Sequence, residues 1–164
     1  MQAVCEQRQC EKVYVHYGHS KFDPNAFEDV KNRSWVKPDG GFWASSIDAK
    51  FGWKYWCKVE HFEISKLETS FKFKLMDNSR ILTIDSLDIL RELPSLESPR
   101  VRGLMDDSIA GILENRVYLD FEKLTDEYDA IEVLISNDRR LYYALYGWDC
   151  DSILVLNKDV VIPL

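Results

Sequence analysis

A strict alternation of apolar and basic side chains between residues 70 and 75 sets the first limit on the fold. In the stretch SFKFKL, apolar residues occupy every second position, and Lys72 and Lys74 fill the positions between them. This period of two is typical of a strand with one buried face. The turn-forming DNSR and the apolar ILTI follow directly. The sequence therefore predicts a hairpin over residues 70–84.

Strand-like and helix-like runs are mixed along the rest of the chain. Short β-patterned runs predict strands at 12–17, 41–45, 129–135, 151–156 and 159–164. Helical periodicity and capping residues predict helices at 48–60, 85–93, 104–114, 120–128 and 138–147. This order favours an α+β fold, with a mixed or antiparallel sheet and short flanking helices. The length fits a single domain over residues 1–164, in which residues 1–11 form a loose N-terminal arm.

The charge and the apolar runs exclude several classes of protein. The chain carries 21 basic and 28 acidic side chains, a formal net charge of −7. This charge repels phosphate backbones and disfavours non-specific binding of nucleic acid. No apolar run approaches the roughly 20 residues that a membrane-spanning helix needs, so we expect a soluble cytoplasmic protein without a membrane partner. The four cysteines lack zinc-like spacing, so we expect free thiols and no metal site.

Two of the three histidines lie together in KVYVHYGHS, where the first predicted strand reaches Gly18. His16 and His19 would point to opposite faces of an unbroken strand, so they can meet only if the chain turns at Gly18. A neutral imidazole both donates and accepts hydrogen bonds, which suits contact with a sugar hydroxyl. Glycine-rich phosphate loops and the GxSxG serine motif are missing from the chain, so the common dinucleotide, ATP and serine hydrolase sites are disfavoured.

A second block of sequence, PDGGFWASSIDAKFGWKYW at residues 38–56, follows the histidine block. Together with VYVHYGHS, it resembles the split NAD site of ADP-ribosyltransferases, in the branch related to poly-ADP-ribose polymerases and toxins. The C-terminal YGWDCDSILVLNKDVVIPL is similar, more weakly, to the strand that precedes the acidic last motif of that family. The resemblance implies an ADP-ribosyltransferase-like fold with a split sheet, NAD as the substrate, and release of nicotinamide.

Nicotinamide is a flat, cationic ring with a carboxamide, so its site needs aromatic faces and polar groups that hold the amide. The resemblance implies that His16 contacts the ribose of NAD. His19 is the alternative, because Tyr17 separates His16 from the glycine of the motif. The same aromatic residues would also serve as core anchors, since they bury large areas. The residues implied to bind NAD are Tyr17, Gly18, His19, Ser20, Trp43, Ser45, Trp53 and Tyr55.

The last motif of the family supplies a carboxylate, because a negative charge stabilises the cationic ribosyl centre. Asp159, Asp151 and Glu132 are the candidates for this acid. The two aspartates rank above Glu132, since they lie in the closing strands, where the resemblance places the acid. The alternative for the aspartates of the turn WDCDS is a structural one, in which the carboxylate of Asp149 or Asp151 accepts backbone N–H groups.

Two functions from different classes are consistent with the sequence. The first is an NAD-dependent ADP-ribosyltransferase of toxin or effector type, which modifies an unidentified protein or nucleic-acid acceptor. The second is a non-catalytic binding or inhibitor module of phage or mobile-element type on the same fold, whose acidic surface engages a basic macromolecular partner. The two histidines favour the enzyme. The lack of a clear third motif favours the binding module.

Overall fold

The computed structural model describes residues 12–33, 37–97, 116–145 and 147–164. The predicted arm at 1–11 and the predicted helix at 104–114 lie outside the described residues. Seven strands occur in these ranges: β1 (Tyr14–Tyr17), β2 (Phe42–Ser46), β3 (Ser70–Leu75), β4 (Ile81–Ile84), β5 (Ala130–Val133), β6 (Ser152–Val155) and β7 (Val161–Pro163). The α-helices of the same ranges are α1 (Trp53–Glu60), α2 (Leu87–Glu92), α3 (Phe121–Glu127) and α4 (Arg140–Ala144), and 3-10 helices occur at Ile64–Glu68 and Lys158–Val160.

The seven strands form one mixed sheet in the order β4-β5-β6-β2-β1-β3-β7. Strands β4 and β5 are parallel, and each of the other neighbouring pairs is antiparallel. The predicted α+β class, with a mixed sheet and short helices, is therefore confirmed. The pairings join all seven strands into one sheet, rather than the split sheet that the resemblance to ADP-ribosyltransferases implies.

The predicted hairpin at residues 70–84 is wrong. Strand β3 pairs with β1 and β7, whereas β4 pairs with β5 at the other end of the sheet. Arg80 fixes this arrangement, because its backbone N–H and its guanidinium donate to the Asp129 carboxylate at 2.9 to 3.2 Å. These bonds hold the start of β4 beside the start of β5. Residues 76–80 therefore link distant positions of the sheet.

The neighbouring strands β5 and β6 are buried at every position. Such continuous burial arises where both faces of a sheet are covered. One face packs against α2, α3 and α4, and its core includes Ile131, Val133, Leu154, Leu90, Leu124 and Leu141. The opposite face forms a smaller core that includes Tyr14, Phe73, Ala130, Ile153 and Val155. The sheet is thus the central layer on which the loops of the site are built.

The sequence signals for the helix ends have mixed outcomes. Helix α2 follows Ser86, whose hydroxyl accepts a hydrogen bond from the Ile89 N–H at 3.4 Å, and it ends before Pro94, as predicted. Helix α1 begins at Trp53 instead of residue 48, because residues 47–51 form turns. Within the described ranges, no helix has the length and apolar character needed to cross a bilayer.

Strands β1 and β2 are in contact at one end and separate at the other. Their described pairing joins Tyr14 to Ser46 and Val15 to Ser45. Beyond Val15, β1 remains paired with β3, and β2 remains paired with β6. A cleft lined by both strands opens at this separation. The strands predicted at 12–17 and 41–45 therefore lie together at this cleft.

Candidate functional site

The cleft between β1 and β2 has a volume of about 420 Å³. Its walls come from the end of β1, the middle of β2, the start of α1, the segment before the first 3-10 helix, and the residues around the start of β6. The lining residues are Val15, His16, Tyr17, Gly18, His19, Lys37, Trp43, Ala44, Trp53, Glu63, Lys66, Asp149, Cys150 and Ser152. Six residues predicted from the sequence therefore share one cavity: His16, Tyr17, Gly18, His19, Trp43 and Trp53.

The two histidines are in direct contact. The backbone of Gly18 has a φ of +104°, a left-handed conformation that glycine adopts without a steric penalty. This turn brings His19 back towards β1, so that His16 Nε2 lies 2.9 Å from His19 Nδ1. The two rings stack with centroids 5.2 Å apart. The chain therefore turns at Gly18, as the sequence analysis required if the two imidazoles were to meet.

The hydrogen bonds of His16 determine which of its nitrogens carries the proton. His16 Nδ1 lies 2.6 Å from the Trp43 carbonyl, which can only accept, so Nδ1 carries the hydrogen. In neutral His16, Nε2 is then the acceptor, and His19 Nδ1 donates to it. Among the described contacts, His19 Nε2 is left as the acceptor that a ligand in the cleft can reach. His16 thus holds His19 in a defined orientation.

Burial lowers the pKa of His16 below its usual value of 6.5, and the neighbouring His19 adds to the effect, while the bond to the Trp43 carbonyl opposes it. Neutral imidazole is therefore the dominant form of His16 at physiological pH. A neutral His16 keeps the donor and acceptor pattern described above. His16 can then orient His19 without adding a positive charge of its own to the cleft.

A lysine and two tryptophans also line the cleft. Lys37 Nζ lies 4.7 Å from the Trp43 ring centroid and 5.9 Å from that of Trp53. Burial lowers the pKa of Lys37, while the nearby Asp149 and Cys150 act in the opposite direction. The ammonium is thus partly desolvated and is held against aromatic faces, a geometry in which cation–π attraction is strongest. An anionic group of a ligand would find its counter-charge here.

Ser45 positions Trp53 without lining the cleft itself. The buried Ser45 hydroxyl accepts a hydrogen bond from the Trp53 N–H and donates one to the Asp151 carbonyl, both at 2.9 Å. It therefore ties the first residue of α1 to β2 and to the chain just before β6. With both of these bonds in place, the hydroxyl is engaged in the scaffold, whereas the resemblance implies that it holds the amide of nicotinamide.

Two other residues implied to bind NAD lie away from the cleft. Tyr55 follows Trp53 by two positions on α1, which turns its side chain about 200° around the helix axis. Its ring is half exposed and packs edge-on against Phe51 at 5.4 Å. Ser20 is exposed in the loop after His19. The structure therefore separates Tyr55 and Ser20 from the cavity that holds the two histidines.

The three predicted carboxylates are likewise outside the residues that line the cleft. Glu132 is buried in β5, where its Oε1 lies 2.6 Å from Lys12 Nζ. Asp151 is buried and accepts from the N–H and the hydroxyl of Ser136, at 2.8 and 2.5 Å. Asp159 is exposed in the 3-10 helix after β6. Asp151 thus accepts a backbone N–H, as in the structural alternative, but the donor is Ser136 and not a residue of the WDCDS turn.

The cleft also contains polar residues that the sequence analysis did not select. Asp149 and Glu63 are its carboxylates, and Lys37 and Lys66 are its lysines. Asp149 belongs to the same WDCDS stretch as Asp151, so the resemblance to the last family motif could have found it. The other three belong to no motif. The three-dimensional structure alone brings them to the histidines.

Cysteine and metal chemistry have little support in the cleft. Burial raises the pKa of Cys150 to about 12, although a hydrogen bond to Ser152 and the charge of Lys37 act against this rise. The thiol therefore stays protonated at neutral pH, which makes it a poor nucleophile. Within the described residues, no group of three or more His, Cys, Asp or Glu side chains is arranged to hold a metal ion.

Comparison with known proteins identifies no family model, no curated protein and no solved structure that matches this chain. The resemblance to ADP-ribosyltransferases therefore remains a hypothesis that rests on the residues of the cleft.

Proposed function

We propose that this chain is an NAD-dependent ADP-ribosyltransferase that binds NAD in the cleft between β1 and β2. The observation that carries the proposal is the composition of this single cavity. It combines a pair of hydrogen-bonded imidazoles, aromatic faces, two lysines and two carboxylates. These are the groups needed for a ribose, a nicotinamide ring, a pyrophosphate and a cationic transition state, respectively. The volume also falls in the usual range for small-molecule sites.

The parts of NAD can be assigned to the groups of the cleft. In this proposal His19 Nε2 contacts a hydroxyl of the nicotinamide ribose, and His16 is the residue that positions it, because both nitrogens of His16 are already engaged. The nicotinamide ring stacks on Trp53 or Tyr17. The pyrophosphate lies near Lys37 and Lys66, which supply its counter-charge.

Asp149 is the carboxylate that we assign to the reaction. Glu63 is less available, because its Oε1 already accepts from Lys66 Nζ at 2.5 Å. The bond between ribose C1′ and the nicotinamide nitrogen breaks, and its electron pair leaves with nicotinamide as a neutral molecule. The negative charge of Asp149 stabilises the oxocarbenium-like C1′. A nucleophilic atom of the acceptor then bonds to C1′ and releases its proton to solvent.

The test measures nicotinamide release and macromolecular labelling. The purified chain is incubated with NAD labelled in the adenylate half, together with a host-cell lysate. We expect released nicotinamide in the chromatogram and label in a macromolecule, and Asp149→Asn should lower the rate by about a hundredfold. Trp53→Ala should weaken NAD binding by a few-fold to about thirtyfold in calorimetry, since one stacking face is lost.

The matched control is Asp159→Asn, which removes an exposed carboxylate outside the cleft. This variant should keep the wild-type rate. If Asp159→Asn abolishes activity while Asp149→Asn does not, the acid is the one that the sequence ranked highly and the assignment to Asp149 is wrong. If the wild type neither binds NAD at millimolar concentration nor releases nicotinamide, the proposal of an enzyme is wrong.

A non-catalytic binding module is the second candidate. The observation that favours it is the engagement of the predicted acids, since Glu132 is paired with Lys12 and Asp151 with Ser136. In that case the cleft would be a remnant of an enzyme fold, and a pull-down for a basic protein partner would identify the function. Calorimetry with NAD separates the two candidates, because only the enzyme requires the dinucleotide to bind.

A further inference from the structure

We infer that a second groove, between α1 and α4, binds an arginine-bearing segment of a basic partner protein. This α1–α4 groove is lined by Phe51, Tyr55, Val59, Tyr142 and Tyr143, together with charged residues discussed below, and has a volume of about 610 Å³. It lies next to the cleft and shares Asp149 and Cys150 with it. The inference concerns binding alone and holds whether or not the cleft turns over NAD.

The aromatic rings of the α1–α4 groove are unusually accessible. Tyr143 is 70% exposed, Tyr55 50% and Phe51 49%. Phe51 and Tyr55 form one edge-to-face pair with centroids 5.4 Å apart, and Tyr142 and Tyr143 form another at the same distance. Two elements of the fold thus present perpendicular ring pairs to the solvent on either side of a concave surface. Clustered exposed aromatics of this kind mark interaction sites.

The charges of the α1–α4 groove favour a cationic ligand. Its described lining contains the acidic Glu60, Asp149 and Asp151 and the basic Arg139. The Asp151 carboxylate is already engaged by Ser136, and Asp149 also faces Lys37 in the cleft, so Glu60 is the acid that belongs to the groove alone. Carboxylates beside exposed aromatic faces suit a guanidinium, which stacks on rings and forms forked hydrogen bonds to carboxylates. Lysine lacks the planar fork and fits this combination less well.

The same features argue against two other occupants. A nucleic acid would bring phosphates towards Glu60 and Asp149 on a chain with a net charge of −7, which is repulsive. A second copy of the chain, paired face to face through the groove, would place these carboxylates opposite their own copies. A basic segment instead is attracted over a distance by the charge of the whole molecule and is then held by the rings.

The experiment uses fluorescence anisotropy with the full chain and no NAD. The probes are a labelled peptide rich in arginine and glycine and a matched peptide in which citrulline replaces every arginine. Citrulline keeps the shape of arginine and loses its charge, so we expect the arginine peptide to bind and the citrulline peptide to fail. A lysine peptide should bind more weakly than the arginine peptide.

Two single variants link the binding to the groove. Tyr143→Ala removes a highly exposed ring, and Glu60→Gln removes an exposed charge, so neither should disturb folding. Each should weaken binding of the arginine peptide by about two- to fivefold. Glu68→Gln also removes an exposed charge, one that is not among the groove residues, and it should leave the affinity unchanged. Circular dichroism of all three variants checks that the fold is retained.

Three results would overturn the inference. The first is equal binding of the arginine and citrulline peptides, and the second is tighter binding of a single-stranded oligonucleotide than of the arginine peptide. The third is a wild-type dimer in sedimentation analysis that Tyr143→Ala converts to monomer, since the groove would then be covered by a second copy. Nicotinamide release from the same variants is measured separately, so failure of the groove is distinguishable from failure of the proposed enzyme.

Discussion

His16 shows how much one residue contributes to the proposed site. Its ring lies against Phe71 at 5.1 Å and edge-on to Phe42 at 5.7 Å, and its two nitrogens are bonded to Trp43 and His19. The aromatic neighbours remove water from the imidazole, which makes the charged form less stable. The residue that orients His19 therefore also has a charge state that depends on the packing around it.

The lowered pKa of His16 predicts a dependence of stability on pH. Below pH 6.5 the unfolded chain takes up a proton at His16 before the folded chain does, so the unfolded state binds more protons and the free energy of unfolding falls. We expect urea midpoints to decrease as pH is lowered from 6.5 towards the pKa of the folded state. His16→Asn should show a shallower decrease over this range. NMR titration of the His16 ring should give a midpoint below 6.5.

A variant of an exposed histidine is the control for this prediction. His61 is exposed at the end of α1, so His61→Asn should keep the pH dependence of the wild type. If His16→Asn and the wild type lose stability in parallel, the burial of His16 is not the cause of the dependence. A NMR midpoint at or above 6.5 would contradict the lowered pKa directly.

At the residue scale, the sequence could predict the chemically distinctive side chains of the cleft. His16, His19 and Trp53 were selected because few residue types offer titratable rings or large aromatic faces. Lys37 and Glu63 could not be selected, because a single lysine or glutamate has no pattern that separates it from a solvated one. Their position depends on how the loops after β1 and α1 fold over the sheet.

At the scale of elements, the junction of α1 with β2 depends on a single hydroxyl. Ser45→Ala would leave the Trp53 N–H and the Asp151 carbonyl without their described partner, and Ser45 is only 2% exposed. We expect a loss of about 1–3 kcal/mol in the free energy of unfolding, measured by urea denaturation. NAD affinity should fall as well, since Trp53 is no longer fixed.

The neighbouring Ser46 provides the control for this prediction. Its hydroxyl accepts one long hydrogen bond, from the Asp48 N–H at 3.4 Å, and the residue is only half-buried. Ser46→Ala should therefore change stability by less than about 0.5 kcal/mol. Equal losses for the two variants would show that the hydroxyl of Ser45 has no special role in holding α1.

Elements differ in how far their own sequence determines them. The alternation in SFKFKL predicts β3 with its observed bounds, because the period of two is a local property. The partner of β3 is not local. The DNSR segment has the composition of a hairpin turn, yet the bonds from Arg80 to Asp129 place β4 at the other end of the sheet. An ion pair between residues so far apart in the chain has no signature in either segment.

Asp129 is a junction for the whole molecule. Its carboxylate accepts from Arg80 and from Asn157 Nδ2 at 3.0 Å, so it connects β4, β5 and the segment after β6. Hydrogen bonds from the Arg80 side chain lower the pKa of Asp129 to about 2 from its usual 3.8. Bonds from Asn157 and the Arg80 backbone add to this lowering, whereas desolvation of the carboxylate opposes it. The carboxylate therefore stays charged under most conditions in which the chain is folded.

We predict that Asp129→Asn lowers the free energy of unfolding by about 1–3 kcal/mol at neutral pH, because charged hydrogen bonds are lost. The folded pKa is depressed, so this contribution is present above pH 3.8 and is lost as pH falls towards 2. The urea midpoints of wild type and variant should accordingly converge in that range. Asp126→Asn is the control, since Arg80 bonds to the backbone carbonyl of Asp126, which the substitution retains.

For the molecule as a whole, the α+β class followed from the mixture of strand and helix patterns, whereas the strand order did not. Among the neighbouring pairs of the sheet, β1–β2, β4–β5 and β5–β6 join consecutive strands, but β4 and β5 are far apart in the chain, as are the strands of the other three pairs. Such pairs are selected by burial on both faces of β5 and β6 and by contacts like that of Asp129. Periodicity shows that a strand forms, but it does not show beside which strand.

The position of β6 in the sheet determines when the cleft can form during translation. This strand lies between β5 and β2 in the middle of the sheet, although it is the sixth of the seven described strands in chain order. During translation, β2 emerges long before the strand that covers its edge. The Asp149 side of the cleft arrives with β6 as well. A nascent chain that has not yet released β6 from the ribosome therefore holds neither the continuous sheet nor the complete cleft, so any chemistry in the cleft begins only after β6 has emerged.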